Sequence, residues 1–262
     1  MSELVRSLRT FTAARIGLQA TGSSLATSEV LQLAQDHALA RDAVHATFDT
    51  KPLMSQLQEL GHPVHEVQSL AADRATYLRR PDFGRQLSPE SVASLAAHGA
   101  SSQAPGSSPP AVVVVIADGL SAAAPVAHAA PLLSELSGRS PARWANVPVV
   151  LAKQARVALG DAVGAALQAQ LVLVLIGERP GMSAHDSLGA YLTYAPHPGR
   201  TDAERNCVSN IRPQGLDYAQ AAHHLHWLVE QALARQVTGI ELKDESSAAL
   251  LHIDAAPANI GV

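Results

Sequence analysis

The ten residues AVVVVIADGL, 111–120, decide how this chain folds. Seven apolar residues in succession, most of them β-branched, leave no polar face. The segment therefore reads as a strand buried on both sides, the habit of parallel sheets. Asp118 and Gly119 stop it. Working outward, apolar runs alternate with helical periods. Upstream, PVHEVQSL from Pro63 alternates as a half-buried strand does. SPESVASLAAHG then predicts a helix, with Ser88 as N-cap, Pro89 in its first position and Gly99 as its stop. Residues 99–110, GASSQAPGSSPP, read as a surface loop and not as a domain boundary.

Downstream, SAAAPVAHAAPLLSELSG is helical except that Pro125 and Pro131 must start, kink or split it. Strand-like NVPVVLA, helix-like LGDAVGAALQAQ, strand-like LVLVLIGE and the extended AYLTYAP follow. The strongest helix starts at Asp217, which has capping-box spacing to Gln220. Its apolar face is Ala221, Leu225, Leu228, Val229, Ala232 and Leu233. The tail after GIELKDES looks irregular. Strand and helix in alternation predict an α/β fold with a doubly wound, mainly parallel, Rossmann-like sheet. Residues 1–55 read as a small N-terminal helical domain, with Thr27 and Ser28 as candidate N-caps and no strand pattern. Residues 56–262 form the α/β domain.

Composition narrows the function classes. With 19 basic and 23 acidic residues the net charge is −4 and the isoelectric point is near 6.3, which gives no footprint for nucleic acid or anionic membranes. The apolar fraction is 47%, yet nearly a fifth of the chain is alanine, so small side chains make up much of it. A single cysteine makes no internal disulfide and suits a reducing cytosol. The run 111–117 is too short to span a bilayer, and MSELVRSLRTFTAAR lacks the apolar core of a secretion signal. The length suffices for a (β/α)₈ barrel, but four or five strong strands are too few for one.

Ligands of open parallel sheets lie beyond the carboxyl ends of the strands. Two such ends carry a carboxylate beside a glycine: Asp118-Gly119 and Gly177-Glu178. Each carboxylate reads either as a ligand contact or as a local cap or ion-pair member. There is no G-x-G-x-x-G and no P-loop motif. Cys207 lies among Arg205, Asn206, Ser209, Asn210 and Arg212, where arginines could lower its pKa and make a nucleophile, or where it is an inert thiol. His223, His226 and Glu230 share one helix flank at a spacing that could hold a metal, although no second cluster completes the set. Trp227, opposite the apolar face, reads either as an interface residue or as part of a helix sandwiched in its own domain. Arg79, Arg80 and Arg85 around Asp82 could bind an anion or form a solvated or subunit-contacting loop.

Several blocks, in order, are similar to one known family: TAARIGL, LAQDHALARDAV, YLRRPDFGRQL, VVIADGLSA, ARVALGDAVGAAL, LIGERPGMSAHDSLGAYLTYAP and ERNCVSNIRPQGLDYAQAAHHL. From about residue 10 to about 243 the chain resembles the small (light) subunit of ethanolamine ammonia-lyase. LIGERPG and RNCVSNIRP are the most specific blocks. The resemblance implies an adenosylcobalamin-dependent lyase that converts ethanolamine to acetaldehyde and ammonia by radical chemistry. It implies a large (heavy) barrel subunit as catalytic partner in a higher-order hetero-oligomer, with cobalamin between the two subunits. Cofactor contacts in that family match Val157, Glu178 and Cys207, and the resemblance assigns this chain no catalytic residue and no metal ligand. The chain lacks D-x-H-x-x-G, so no histidine of it is expected on cobalt. The implied location is cytoplasmic, with association with a bacterial microcompartment as the further family context; some members carry a long N-terminal extension that this chain lacks. Two other readings stay open: a stand-alone corrinoid-binding module, and an α/β hydrolase or transferase using Cys207 or Ser121 as nucleophile, although no G-x-S-x-G elbow is present.

Overall fold

A computed structural model describes residues 3–11, 14–102 and 109–246. The tail expected to be irregular lies mostly outside the described residues, as does the middle of the loop at 99–110. In chain order the elements begin with α1 (Glu3–Leu8), the two-residue strands β1 (Ala20–Thr21) and β2 (Ser24–Leu25), α2 (Thr27–His45) and α3 (Thr50–Glu59). They continue with β3 (Val64–Gln68), α4 (Arg74–Arg79), α5 (Pro89–Ser102), β4 (Val112–Ala117), α6 (Ala123–Arg139) and α7 (Pro141–Trp144). The last are β5 (Val149–Lys153), α8 (Leu159–Ala166), β6 (Leu171–Gly177), β7 (Leu188–Tyr194), β8 (Asn206–Ile211) and α9 (Tyr218–Arg235).

The core is a mixed α/β assembly around one six-stranded sheet of order β3-β5-β4-β6-β7-β8. The first four strands are parallel, whereas β7 and β8 run antiparallel to their neighbours. Every residue of β4 and β6 is buried, as their unbroken apolar runs require. Alternate residues of these strands serve opposite layers. Val112, Val114 and Ile116 join Leu132, Leu133 and Leu136 of α6, Leu225 and Val229 of α9, and Leu53 and Leu57 of α3. Val113 and Val115 join Leu95 of α5 and Leu159 and Val163 of α8. Each such buried Leu or Val contributes about 1.5–3 kcal/mol of transfer free energy.

Several local expectations are corrected. The α2 helix begins at Thr27, and its N-cap is Ala26 with no side-chain cap, so neither Thr27 nor Ser28 caps it. A hairpin turning at Gly22, φ +62°, interrupts the N-terminal helices. Gly99 does not stop α5, which runs on to Ser102. Helix α6 passes through Pro131 unbroken, and Pro125 sits in its first turn, where an amide hydrogen has no intrahelical acceptor to lose. At α9 the expected cap forms: the Asp217 carboxylate accepts from the Gln220 amide at 2.8 Å. Trp227 packs, half-buried, against the core of its own domain.

Candidate functional site

Successive connections leave β4 and β5 toward opposite layers, α6 on one and α8 on the other. This arrangement opens a crevice at the carboxyl ends of the strands. A cleft of about 410 Å³ lies there, lined by Tyr77, Leu120, Arg156, Val157, Glu178 and Tyr191 among others. Its floor is backbone. Gly119 adopts φ +54°, and the Leu120 amide donates to the Gly177 carbonyl at 2.9 Å. A Cβ on Gly177 would lie 1.9 Å from the Ser121 carbonyl oxygen, so this approach needs glycine.

The two strand-end carboxylates do different work. Asp118 is buried, and its oxygens accept the amides of Gln154 and Ala155, both at 3.0 Å. Burial pushes its carboxyl above the usual range, against those amide bonds and the Arg74 guanidinium at 3.5 Å. It therefore clamps the turn after β5, which carries Arg156 and Val157. Glu178 is half-buried and lines the cleft. Its Oε2 accepts the Ser187 hydroxyl and, at 3.2 Å, the Asn210 amide. The expectation that Asp118 either contacts a ligand or caps the next helix gives way to this clamp.

Cys207 lies on β8 directly across from Tyr191 of β7. The residue is exposed, but its sulfur meets the Tyr191 hydroxyl. Lost hydration and, secondarily, the Glu178 charge hold the thiol above its ordinary value despite that hydrogen bond. The neighbouring arginines do not activate it. Arg205 makes a buried fork to both oxygens of Asp161, each at 2.7 Å, and Arg212 pairs with Asp186 at 2.8 Å. The Arg205–Asp161 pair ties the start of β8 to the first turn of α8 and so sets Cys207 relative to Val157. Val157 and Glu178 thus face one cleft, and Tyr191 links Cys207 to it. Burial also pushes the Tyr191 hydroxyl far above its ordinary range.

Tyr191, Tyr77 and Arg156 escaped the sequence reading. Tyr191 falls in the extended stretch AYLTYAP, and nothing local marks which residue faces its ring. The motif around Asp82 turns out to brace the site. Arg80 pairs with Asp82 at 2.6 Å, while the Gly84 carbonyl accepts the Arg156 amide at 2.7 Å. Ser121 is fully buried and donates to the His185 carbonyl, which leaves it no access to a substrate. Glu230 is committed to Arg143 at 2.7 Å, and His223 contacts the Ser246 carbonyl. Among the described residues no group of three or more candidate ligands could hold a metal ion.

Comparison with known proteins adds an independent finding. Residues 2–243 match the family described as Ethanolamine ammonia-lyase light chain (EutC). The chain is 53% identical over 256 residues to the ethanolamine ammonia-lyase small subunit of Bradyrhizobium diazoefficiens, covering 97% of this chain and 93% of that one. The protein of that name from Rhodopseudomonas palustris is 53% identical over 243 residues, covering 92% and 90%. The one from Xanthomonas campestris pv. campestris is 48% identical over 254 residues, covering 95% and 90%.

Proposed function

The chain belongs to the ethanolamine ammonia-lyase light-chain family, and we propose that it builds one wall of a cobalamin site shared with the large barrel subunit. The observation that carries this reading is that Val157 and Glu178 line one strand-end cleft, to whose wall residue Tyr191 the Cys207 thiol is hydrogen-bonded. The cleft's chemistry fits a corrinoid. A corrin is an apolar macrocycle rimmed by amide side chains, so it needs flat apolar contacts and a few placed polar groups. Val157, Leu120, Ile176 and the Tyr191 ring supply the first. Glu178 supplies an acceptor for an amide N–H, and Cys207, held as the neutral thiol, packs beside it.

At about 410 Å³ the cleft is near the low end for a small-molecule site and far smaller than a whole corrinoid. One wall therefore belongs to this chain and the remainder to the partner. Bound adenosylcobalamin supplies the radical chemistry that turns ethanolamine into acetaldehyde and ammonia; the chain's own residues bind and orient it and exclude water. On this reading the chain alone is inactive. We read the sheet, with helices on both faces, as doubly wound and Rossmann-like, and residues 1–55 as an N-terminal helical unit that packs onto it through Phe48 and Leu53. Among the described residues no helix is long and apolar enough to cross a membrane. We place the protein in the cytosol, with microcompartment association as family context.

The test is a spectroscopic titration with cobalamin of this chain, of the large subunit and of their mixture. Binding that needs the mixture supports a shared site. Tight binding by this chain alone makes it a stand-alone corrinoid module instead. No binding in any sample overturns the reading.

A further inference from the structure

Arg156 differs from the other buried and half-buried arginines beside the cleft. Arg74 reaches the carbonyls of Val44 at 2.6 Å and Gly119 at 2.9 Å and pairs with Asp118. Arg205 and Arg212 hold Asp161 and Asp186. Single nitrogens of these three lack an acceptor, but each guanidinium makes an ion pair. Arg156 makes none with any described residue, and among those residues its buried Nε finds no acceptor.

The side chain is nevertheless held in place. Its guanidinium carbon sits 4.3 Å from the centre of the Tyr77 ring, a cation–π contact. That ring is fully buried, and its hydroxyl donates to the Ala155 carbonyl at 3.2 Å. Gly84 leaves room for this packing, since a Cβ there would come within 2.9 Å of Arg156 Cγ. A buried donor without an acceptor costs free energy until one arrives. Here a planar cationic fork is preorganised on the cleft wall next to Val157, stacked on Tyr77 but with no ion-pair partner among the described residues. Arg179 also lines the cleft but is exposed, so water serves its donors.

We propose that Arg156 binds the corrinoid by donating to one of its acceptor oxygens, a peripheral amide carbonyl or the phosphate of the nucleotide loop. The inference rests on the cobalamin reading and adds a donor to the cleft that Glu178 lines as an acceptor. A guanidinium fork matches either oxygen acceptor.

The test uses the assembled two-subunit complex, its assembly verified by size exclusion, with hydroxocobalamin binding measured by equilibrium dialysis. Arg156→Ala is expected to weaken binding about 10- to 100-fold, as for the loss of a charge-assisted hydrogen bond. Arg156→Lys keeps the charge without Nε or the fork, and is expected to recover only part. Repeating the series with cobinamide, which lacks the nucleotide loop and its phosphate, separates the two sources. A deficit that persists assigns the amide, and one that vanishes assigns the phosphate. If both variants bind cobalamin within twofold of the parent while Glu178→Ala weakens it, Arg156 is not a ligand and the shared site stands. If the parent complex binds no cobalamin, both inferences fall.

Discussion

The strand ends after β4 and β6 look alike in sequence, a carboxylate beside a glycine at the close of an apolar run, yet they end in opposite states. Asp118 is buried and occupied by two amides and a guanidinium. Glu178 stands half-buried in the cleft, with its internal bonds on one oxygen. The difference comes from position in the sheet. β4 is flanked on both sides by parallel strands, so its end abuts the turn leaving β5. β6 borders the antiparallel half, whose hairpin leads away and leaves the carboxylate facing open space. One carboxylate therefore braces the cleft from inside the protein, and the other lines it.

The contrast breaks if the two residues respond alike to substitution. Asp118→Ala removes one partner of a buried hydrogen-bonded charge network and is expected to cost about 3 kcal/mol of stability. Urea denaturation of the chain reads this directly, and a loss under about 1 kcal/mol would sink the clamp. Glu178→Ala should stay within about 1 kcal/mol of the parent in the same assay, because its bonds are partly solvated. In the two-subunit complex it should weaken cobalamin affinity about tenfold while ethanolamine affinity is unchanged; unchanged cobalamin affinity would remove Glu178 from the site.

A smaller effect concerns the thiol that Glu178 faces. Cys207 is held above its ordinary range by lost hydration, so at any given pH its thiolate fraction lies below that of a free cysteine. The pH profile of its alkylation should accordingly be shifted upward. Tyr191→Phe deletes the hydroxyl that favours the thiolate, and should shift the profile further in the same direction. A downward shift in either protein would restore the activated nucleophile that the geometry argues against.

The parallel half of the molecule was legible because its signals are local. The runs at 111–117 and 171–177 are apolar throughout, and the rule for strand-end ligands points from them to Asp118 and Glu178 alike; only the family resemblance favours Glu178. The antiparallel half was harder to read. RNCVSNIRP has the composition of a polar cluster, yet its residues Asn206–Ile211 are strand β8, on which only Val208 and Ile211 are buried. An edge strand with one wet face lacks the hydrophobic pattern of a buried one. Arg205 and Arg212 looked like neighbours that might tune Cys207, but the pairing partners that claim them are Asp161, 44 residues away, and Asp186, 26 residues away.

By itself the sequence determined the buried strands, the carboxyl ends at which a ligand should lie, and the family through its ordered blocks. Those features depend on residue type and short spacing, which hydrophobic burial and backbone geometry convert directly into local structure. The tertiary structure decided which of two strand-end carboxylates is spent inside the protein, which arginine is left without an ion pair among the described residues, and that Tyr191 joins Cys207 to the cleft. These outcomes depend on hydrogen bonds and ion pairs between residues far apart in the chain, and only strand order and direction bring those partners within reach.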